Sequence, residues 1–257
     1  MLKHRYLFPF FVLWGIGSLV LLYKTGNYSS LLLCLILALG LTSWGAFDLR
    51  LSYFIPAHWR KQHPAKGQIA LTFDDGPTPY TAAVLRLLKH YDYKATFFCI
   101  GKQVKAYPDL ARQIVAEGHT IANHSYNHLS SFGFLQQAAL LDELQQTDQV
   151  IWEVTGQKPS LFRPPFGVSN PTLAKVLQIS KHQTIGWSNR SLDTVTADPL
   201  RIERRVRKKL QSGDIILFHD SSQRTLDALQ RLLPYLKEQG YVSLSVDDLL
   251  ALQRYET

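Results

Sequence analysis

The pattern of apolar and polar positions changes character twice along the chain. Leu7 to Tyr23 is almost wholly apolar, interrupted only by Pro9 and small residues, and Ser29 to Phe47 is a second apolar run. A bilayer-spanning helix needs about 20 residues, so each run is close to that length. The short polar gap from Lys24 to Tyr28 predicts a helical hairpin, or a single span if only one run crosses. A second apolar run without a clear small-x-small site before it argues against a cleaved signal peptide. Residues 48–66, with Arg50, Arg60, Lys61 and Lys66, read as a basic juxtamembrane linker.

From residue 67 onward, short β-rich runs alternate with longer helical patterns. The runs lie near 68–73, 95–100, 119–122, 161–163, 183–187, 214–218 and 242–245. Helices are predicted over 79–91, 103–117, 134–154, 171–180, 199–211 and 225–239. Val84, Leu85, Leu87 and Leu88 form one apolar face, and Leu226, Leu229, Leu232, Leu233 and Leu236 form another. These stripes are core positions. Strand–helix alternation implies parallel strands covered by helices, in a barrel or a doubly wound sheet.

Polar residues gather where strands end. Gln68 to Phe73 is apolar and runs into Asp74-Asp75-Gly76-Pro77. Strand side chains alternate between faces, and a turn that breaks the alternation can aim both acids into one cleft. Two adjacent carboxylates repel unless a positive group sits beside them. A metal ion and an arginine are both available candidates. His124-Ser125-Tyr126-Asn127-His128 spaces two histidines at i and i+4, which share a face on a helical turn and recur in divalent metal sites. An ordinary polar turn would carry the same residues. Arg163 precedes two prolines that stiffen its loop; a surface arginine would fit there equally. Ile215-Ile216-Leu217-Phe218 ends in His219-Asp220, the strand terminus at which α/β folds place chemistry. Alone, His219 could simply cap a strand.

A length of 257 residues fits one large domain plus an appendage. The formal charge of +8 admits nucleic acid, an anionic membrane surface or an acidic polymer as partner, and no nucleic-acid motif accompanies it. The densest basic run, Arg201 to Lys209, reads as the polar face of a helix capped by Asp198, begun by Pro199 and stopped by Gly213. Contact of that run with phospholipid head groups is a second reading. Cys34 and Cys99 are predicted to stay unpaired and lack metal or redox spacing. Trp14, Tyr23 and Trp44 suit interfacial anchors, and Lys3, Arg5 and the basic linker place both hairpin ends on the cytoplasmic side.

In this order, T-F-D-D-G-P, H-S-x-x-H, R-P-P-F-G and I-I-L-F-H-D resemble the polysaccharide deacetylase family, the carbohydrate esterases built on the nodulation-type deacetylase domain. Ala95-Thr96-Phe97-Phe98 and Gly118 to Asn123 extend the resemblance, which covers residues 67–257. It implies a distorted (β/α) barrel with about seven strands, its motifs at the C-terminal rim, behind a membrane anchor over residues 1–47. It further implies a metal-dependent hydrolase that removes N-acetyl groups from amino sugars of peptidoglycan or chitin-like oligomers. Asp75, His124 and His128 would bind one divalent ion, zinc foremost and otherwise cobalt or manganese. Asp74 would be the general base, held by Arg163, and His219 the general acid, oriented by Asp193. The Phe166 backbone N–H would assist the oxyanion, and Leu217 would line the acetyl pocket. Implied partners are an N-acetylated glycan and membrane lipid, with no nucleic acid. The family's cell-wall substrates place the domain outside the plasma membrane, whereas the charge pattern places it inside. A lipid-linked sugar deacetylated or deformylated at the cytoplasmic face, and a non-catalytic glycan-binding protein, are the alternatives.

The chain departs from the family pattern at two places. Phe166 stands where a tyrosine is common. In Trp187-Ser188-Asn189-Arg190-Ser191-Leu192-Asp193-Thr194, Arg190 and Thr194 replace the first acid and the last tryptophan of W-S-x-D-x-x-D-W. Those changes bear on the substrate groove more than on the chemistry.

Overall fold

A computed structural model describes residues 3–255. The two apolar runs are helices α1 (His4–Thr25) and α2 (Ser29–Phe47), each long and apolar enough to cross a membrane by length and composition. Gly26, at φ 68°, ends α1 by donating its N–H to the Leu22 carbonyl at 2.8 Å, a left-handed stop that a side chain would resist. Trp14 Nε1 donates to Ser30 Oγ at 3.2 Å, and Ser18 and Ser30 share a hydrogen bond of 2.8 Å, so the helices seal their polar groups against each other. The His4 N–H donates to the Tyr53 carbonyl at 3.0 Å. The start of α1 and the end of α2 therefore both sit against the rest of the protein.

From residue 68 the chain forms a curled parallel sheet with helices between its strands. Its elements are β1 (Gln68–Asp74), α3 (Thr81–His90), β2 (Ala95–Cys99), α4 (Gly101–Ala106), α5 (Pro108–Ala116), β3 (Thr120–Asn123), α6 (Gln137–Thr155), β4 (Leu161–Phe162), α7 (Pro171–Ser180), β5 (Gln183–Thr184), β6 (Asn189–Arg190), α8 (Pro199–Lys209), β7 (Ile215–His219), α9 (Gln223–Glu238), β8 (Val242–Ser243) and α10 (Val246–Leu250). The strand order is β5-β4-β3-β2-β1-β7-β6, every pairing is parallel, and β8 pairs with the start of β1.

Alternation along β1 explains the layering. Ile69, Leu71 and Phe73 pack outward with α3 and α9, and Phe73 stacks on Phe97 at 5.0 Å. Ala70 faces inward, where Val246 and Leu249 of α10 fill the base of the curl. The register pairs Ala70 with Ile215, Thr72 with Leu217 and Asp74 with His219. Successive inward layers thus climb from apolar at the base to ionisable at the C-terminal rim.

The expected elements occur with four differences. The helix read over 103–117 is two helices, because Pro108 has no N–H to continue the ladder through Tyr107. The run near 183–187 stops as a strand at Thr184, and β6 follows. Helix α8 has the expected Asp198 cap and Pro199 start, but it ends at Lys209, ahead of Gly213. Helix α10 has no counterpart in the sequence reading.

The segment read as a linker is built into the domain. Leu49, Tyr53 and Ile55 are buried. His58 N–H donates to the Thr184 carbonyl at 2.9 Å, and Gly186 N–H donates back to His58 at 2.8 Å. Lys61 N–H donates to Gly213 at 2.9 Å, and Arg60 pairs with the buried Asp214 carboxylate at 2.5 Å. This stretch bridges β5 to the start of β7.

Candidate active site

Asp74 ends β1 on the inward face, two residues after Thr72. Arg163 follows β4, is fully buried, and spends every nitrogen. Its Nη1 donates to Asp74 Oδ1 at 2.6 Å and to Thr72 Oγ1 at 2.9 Å. Nε donates to the Ile185 carbonyl at 3.1 Å and Nη2 to that of Gly186 at 2.9 Å. The Phe98 ring lies 4.0 Å beneath the guanidinium. A buried charge needs such pairing to be tolerated, so Asp74 is clamped by a group that cannot move.

Asp75 has φ 73°. That left-handed residue breaks the strand alternation and turns the second carboxylate to the same cleft, as the acid pair predicts. Beneath it, Gly76 packs so closely on the Asp220 carboxylate that no Cβ fits. Asp220 is itself buried, accepts from the Thr81 hydroxyl, and is pushed up to about 7 by burial.

His124 and His128 do converge, but not on a helix. Residues 124–128 form a loop in which Ser125 (φ 64°) and His128 (φ 51°) are left-handed, so helical i, i+4 spacing is the wrong reason for the right meeting. The loop is held from behind: Glu143 Oε2 accepts from the Tyr126 and Asn127 N–H groups at 3.0 and 2.8 Å. Asn123 Oδ1 accepts from Ser125 N–H at 2.9 Å. His124 Nδ1 lies 2.7 Å from the Arg163 carbonyl. A carbonyl only accepts, so Nδ1 carries a proton and Nε2 is the ring nitrogen turned to the cleft.

Asp75 Oδ1 stands 3.5 Å from the Nε2 atoms of both histidines. It is buried and has no hydrogen-bond partner among the described residues. One ligand atom from each of the three side chains falls within 4.8 Å of the others. Burial, then the charge of His124, keeps His128 below its ordinary value, hence neutral near pH 7. Burial pushes Asp75 up, and His124, His219 and His128 outweigh it and hold the carboxyl down at about 2. A carboxylate oxygen and two imidazole nitrogens facing one point are a donor set for a divalent cation with N/O ligands. The residues fit that group.

Across the cleft, His219 ends β7 beside Asp74. Its Nδ1 lies 2.8 Å from Asp193 Oδ1, and its backbone N–H donates to Asp193 Oδ2 at 2.7 Å. Ser191 and Thr225 hydroxyls donate to the same carboxylate at 2.9 and 2.8 Å. Burial lowers the imidazole pKa, but the Asp193 hydrogen bond and charge override it and raise His219 to about 9. It is therefore protonated at neutral pH, with Nδ1–H on Asp193. Asp193 is pushed up by burial and held below its ordinary value by His219.

These groups line a cavity of about 200 Å³ that also includes Phe166, Trp187, Arg190, Thr194 and Leu217. Phe166 is left-handed at φ 59°, with its ring 4.7 Å from that of His128. Leu217 lies on the inward face one layer below His219. Of the candidate site residues from the sequence, Asp74, Asp75, His124, His128, Phe166, Leu217 and His219 line this one cavity, while Arg163 and Asp193 are buried behind it and touch Asp74 and His219. Asp220 stood in the strand-end motif without an assigned role, and Glu143 and Thr225 were not anticipated. Glu143 and Thr225 act through hydrogen bonds between distant segments, and no local pattern marks them.

A family model described as polysaccharide deacetylase matches residues 61–185. A peptidoglycan-N-acetylglucosamine deacetylase of Bacillus cereus is 40% identical over 188 residues, covering 71% of this chain and 87% of its own. The solved structure of a peptidoglycan N-acetylglucosamine deacetylase superposes with a TM-score of 0.72 at 26% identity, over 77% of this chain and 94% of that one. A second solved neighbour, a CE4-family pseudoenzyme from Bacillus anthracis, has a TM-score of 0.68 at 33% identity, over 74% of this chain and 67% of that one.

Proposed function

The chain belongs to the polysaccharide deacetylase family, and on that footing we propose that it is a metal-dependent N-deacetylase of amino sugars in a peptidoglycan-type glycan, anchored to a membrane by α1 and α2. The observation that carries this is the unpartnered Asp75 Oδ1, aimed with two imidazole Nε2 atoms at one point beside the clamped Asp74. A pseudoenzyme on the same fold makes the site, not the fold, the argument for turnover.

Asp75, His124 and His128 would hold the divalent cation, zinc foremost with cobalt or manganese as alternatives, which when bound polarises the acetamide carbonyl and acidifies water. Asp74 takes the proton of the attacking water, and Arg163 keeps its carboxylate aimed at that proton. The Phe166 backbone N–H assists the oxyanion at the cavity mouth. His219 delivers the proton from Nε2 to the departing nitrogen as the C–N bond breaks, so the products are acetate and a free amino sugar. Asp193 keeps the imidazole charged until that moment. Leu217 closes the space around the acetyl methyl.

A second reading changes only the substrate. Both ends of the α1–α2 hairpin meet the domain, and Lys3, Arg5 and Arg50 lie at that end. Such a charge bias favours a cytoplasmic domain and a lipid-linked amino sugar. A reporter fused after residue 257 separates the two, since a cytoplasmic C-terminus excludes polymeric cell wall. The primary test measures acetate release by the full chain in detergent from N-acetylglucosamine oligomers and peptidoglycan fragments. Release should vanish in Asp74→Asn while bound metal persists; normal release in that variant refutes the mechanism.

A further inference from the structure

A second cavity, of about 420 Å³, opens between the end of α2 and the rim of the domain. Trp44 and Phe47 of α2, Arg50, Arg190 of β6, and Arg205 and Lys209 of α8 line it. Arg50 is committed to Asp48, the one acid in the lining, through two hydrogen bonds of 2.8 and 2.7 Å. Arg190, Arg205 and Lys209 have no carboxylate within 4.0 Å among the described residues. Arg205 Nε donates to the Arg190 carbonyl at 2.9 Å, and Arg190 lies 5.7 Å from the Trp187 ring, so two of the cations are positioned from below. Three gathered cations without a counter-charge repel one another, and an anion among them relieves the repulsion.

The depth of the cavity says which anion. Trp44 and Phe47 lie in the last turn of a span-length helix and are 55% and 68% exposed. Aromatic residues at that position sit at headgroup level. The phosphates of a bilayer lie in the same layer and attract basic clusters. We propose that this cavity binds the phosphate of an anionic phospholipid and so fixes the deacetylase rim against the bilayer surface. The inference rests on the reading of α1 and α2 as membrane spans. Trp187 and Arg190 also line the catalytic cavity, so the headgroup site and the reaction site share a wall, and the catalytic opening is held close to the membrane.

The test uses the full chain in detergent, titrated with phosphatidylglycerol or phosphatidylcholine of matched acyl chains and read by native mass spectrometry. Wild type should retain phosphatidylglycerol in preference to phosphatidylcholine. Arg205→Gln/Lys209→Gln should bind it at least tenfold more weakly. Arg204→Gln/Lys208→Gln, an equal charge loss on α8 outside the cavity, should bind like wild type. Equal weakening by both pairs, or equal retention of both lipids, overturns the proposal. Displacement of the lipid by inorganic phosphate would make this a free-phosphate site. Preferential displacement by a polyprenyl-phosphate sugar would make it a substrate subsite. Either result also overturns the assignment to phospholipid. Alkaline carbonate extraction of membranes separates the two levels of failure. A chain that washes off refutes the anchor, whereas one that stays but retains no phosphatidylglycerol refutes this site alone.

Discussion

Replacing Asp193 with Asn tests the acid side of the site without touching the proposed metal ligands. Asp193 keeps His219 at about 9 against an ordinary 6.5. At about 1.36 kcal/mol per unit, the environment favours the charged imidazole by roughly 3 kcal/mol. Burial pulls the other way and Asp74 and Asp75 add smaller upward pushes, so without the Asp193 carboxylate His219 falls toward its ordinary value, which sets the scale of the effect. Near pH 8 the protonated fraction then drops from about 0.9 to about 0.03, a loss of about 30-fold in active enzyme. The assay is a pH profile of acetate release under kcat conditions. The alkaline limb of Asp193→Asn should move down by at least about one unit, and the loss should shrink toward acid pH. A bound cation lowers the limb of both proteins, so the difference between them is the quantity to read. The stability sign follows from the same shift. A folded pKa above the unfolded value contributes stability that is complete below about 6.5 and lost as pH rises through about 9. Wild type should therefore lose more stability across that window than the variant. Asn cannot accept from all four donors that now meet Asp193, so a pH-independent penalty of about 1–3 kcal/mol is expected as well. An unmoved alkaline limb, or the same rate loss at every pH, refutes the assigned role.

Three further outcomes follow from the packing. Arg163→Met strands the buried Asp74 carboxylate and should destabilise the fold by roughly 3–5 kcal/mol; a urea midpoint equivalent to less than about 1 kcal/mol would contradict the clamp. Glu143→Ala releases the loop that carries His128 and should weaken zinc binding by about 10–100-fold in a competition titration, and unchanged affinity would show that the loop holds itself. A chain begun at residue 67 loses buried Leu49, Tyr53 and Ile55 and the Arg60–Asp214 pair. At about 1.5–3 kcal/mol per large apolar side chain, it should be insoluble or melt far below a chain begun at residue 48, and equal melting would make the segment a tether.

Much of the site was legible because its residues sit where a period breaks. Asp74 follows the inward alternation of Ala70 and Thr72, and Asp75 escapes it through its own left-handed backbone. The pairing of Asp74 with His219 follows from two apolar strands that each end in an acidic or His-Asp terminus. The parts that stayed hidden are held by long-range hydrogen bonds. Glu143 reaches Tyr126 and Asn127, in the loop before His128, from the middle of α6, and its helical pattern shows only a polar residue. The split after Thr184 depends on Gly186, which leaves room for Leu49 and Trp59 to approach.

The segment from residue 48 to 61 shows best why sequence alone misplaced a boundary. Its apolar alternation at Leu49, Leu51, Tyr53 and Ile55 is short and is stopped by Pro56, and four basic residues lie in or just beyond it, so it reads as a basic juxtamembrane linker. Its structure comes instead from partners far along the chain: Thr184 and Gly186 on one side, Gly213 and Asp214 on the other. Those same contacts tie β5 and β7, which carry the approaches to Arg163 and His219. Ser169 N–H and its hydroxyl bond to the carbonyls of Gly45 and Ala46 at the end of α2, on the loop that follows Phe166. The apolar helices are thus joined to the cleft through short, directed contacts. A change at the base of α2 should accordingly be felt at Phe166 before it is felt at β1.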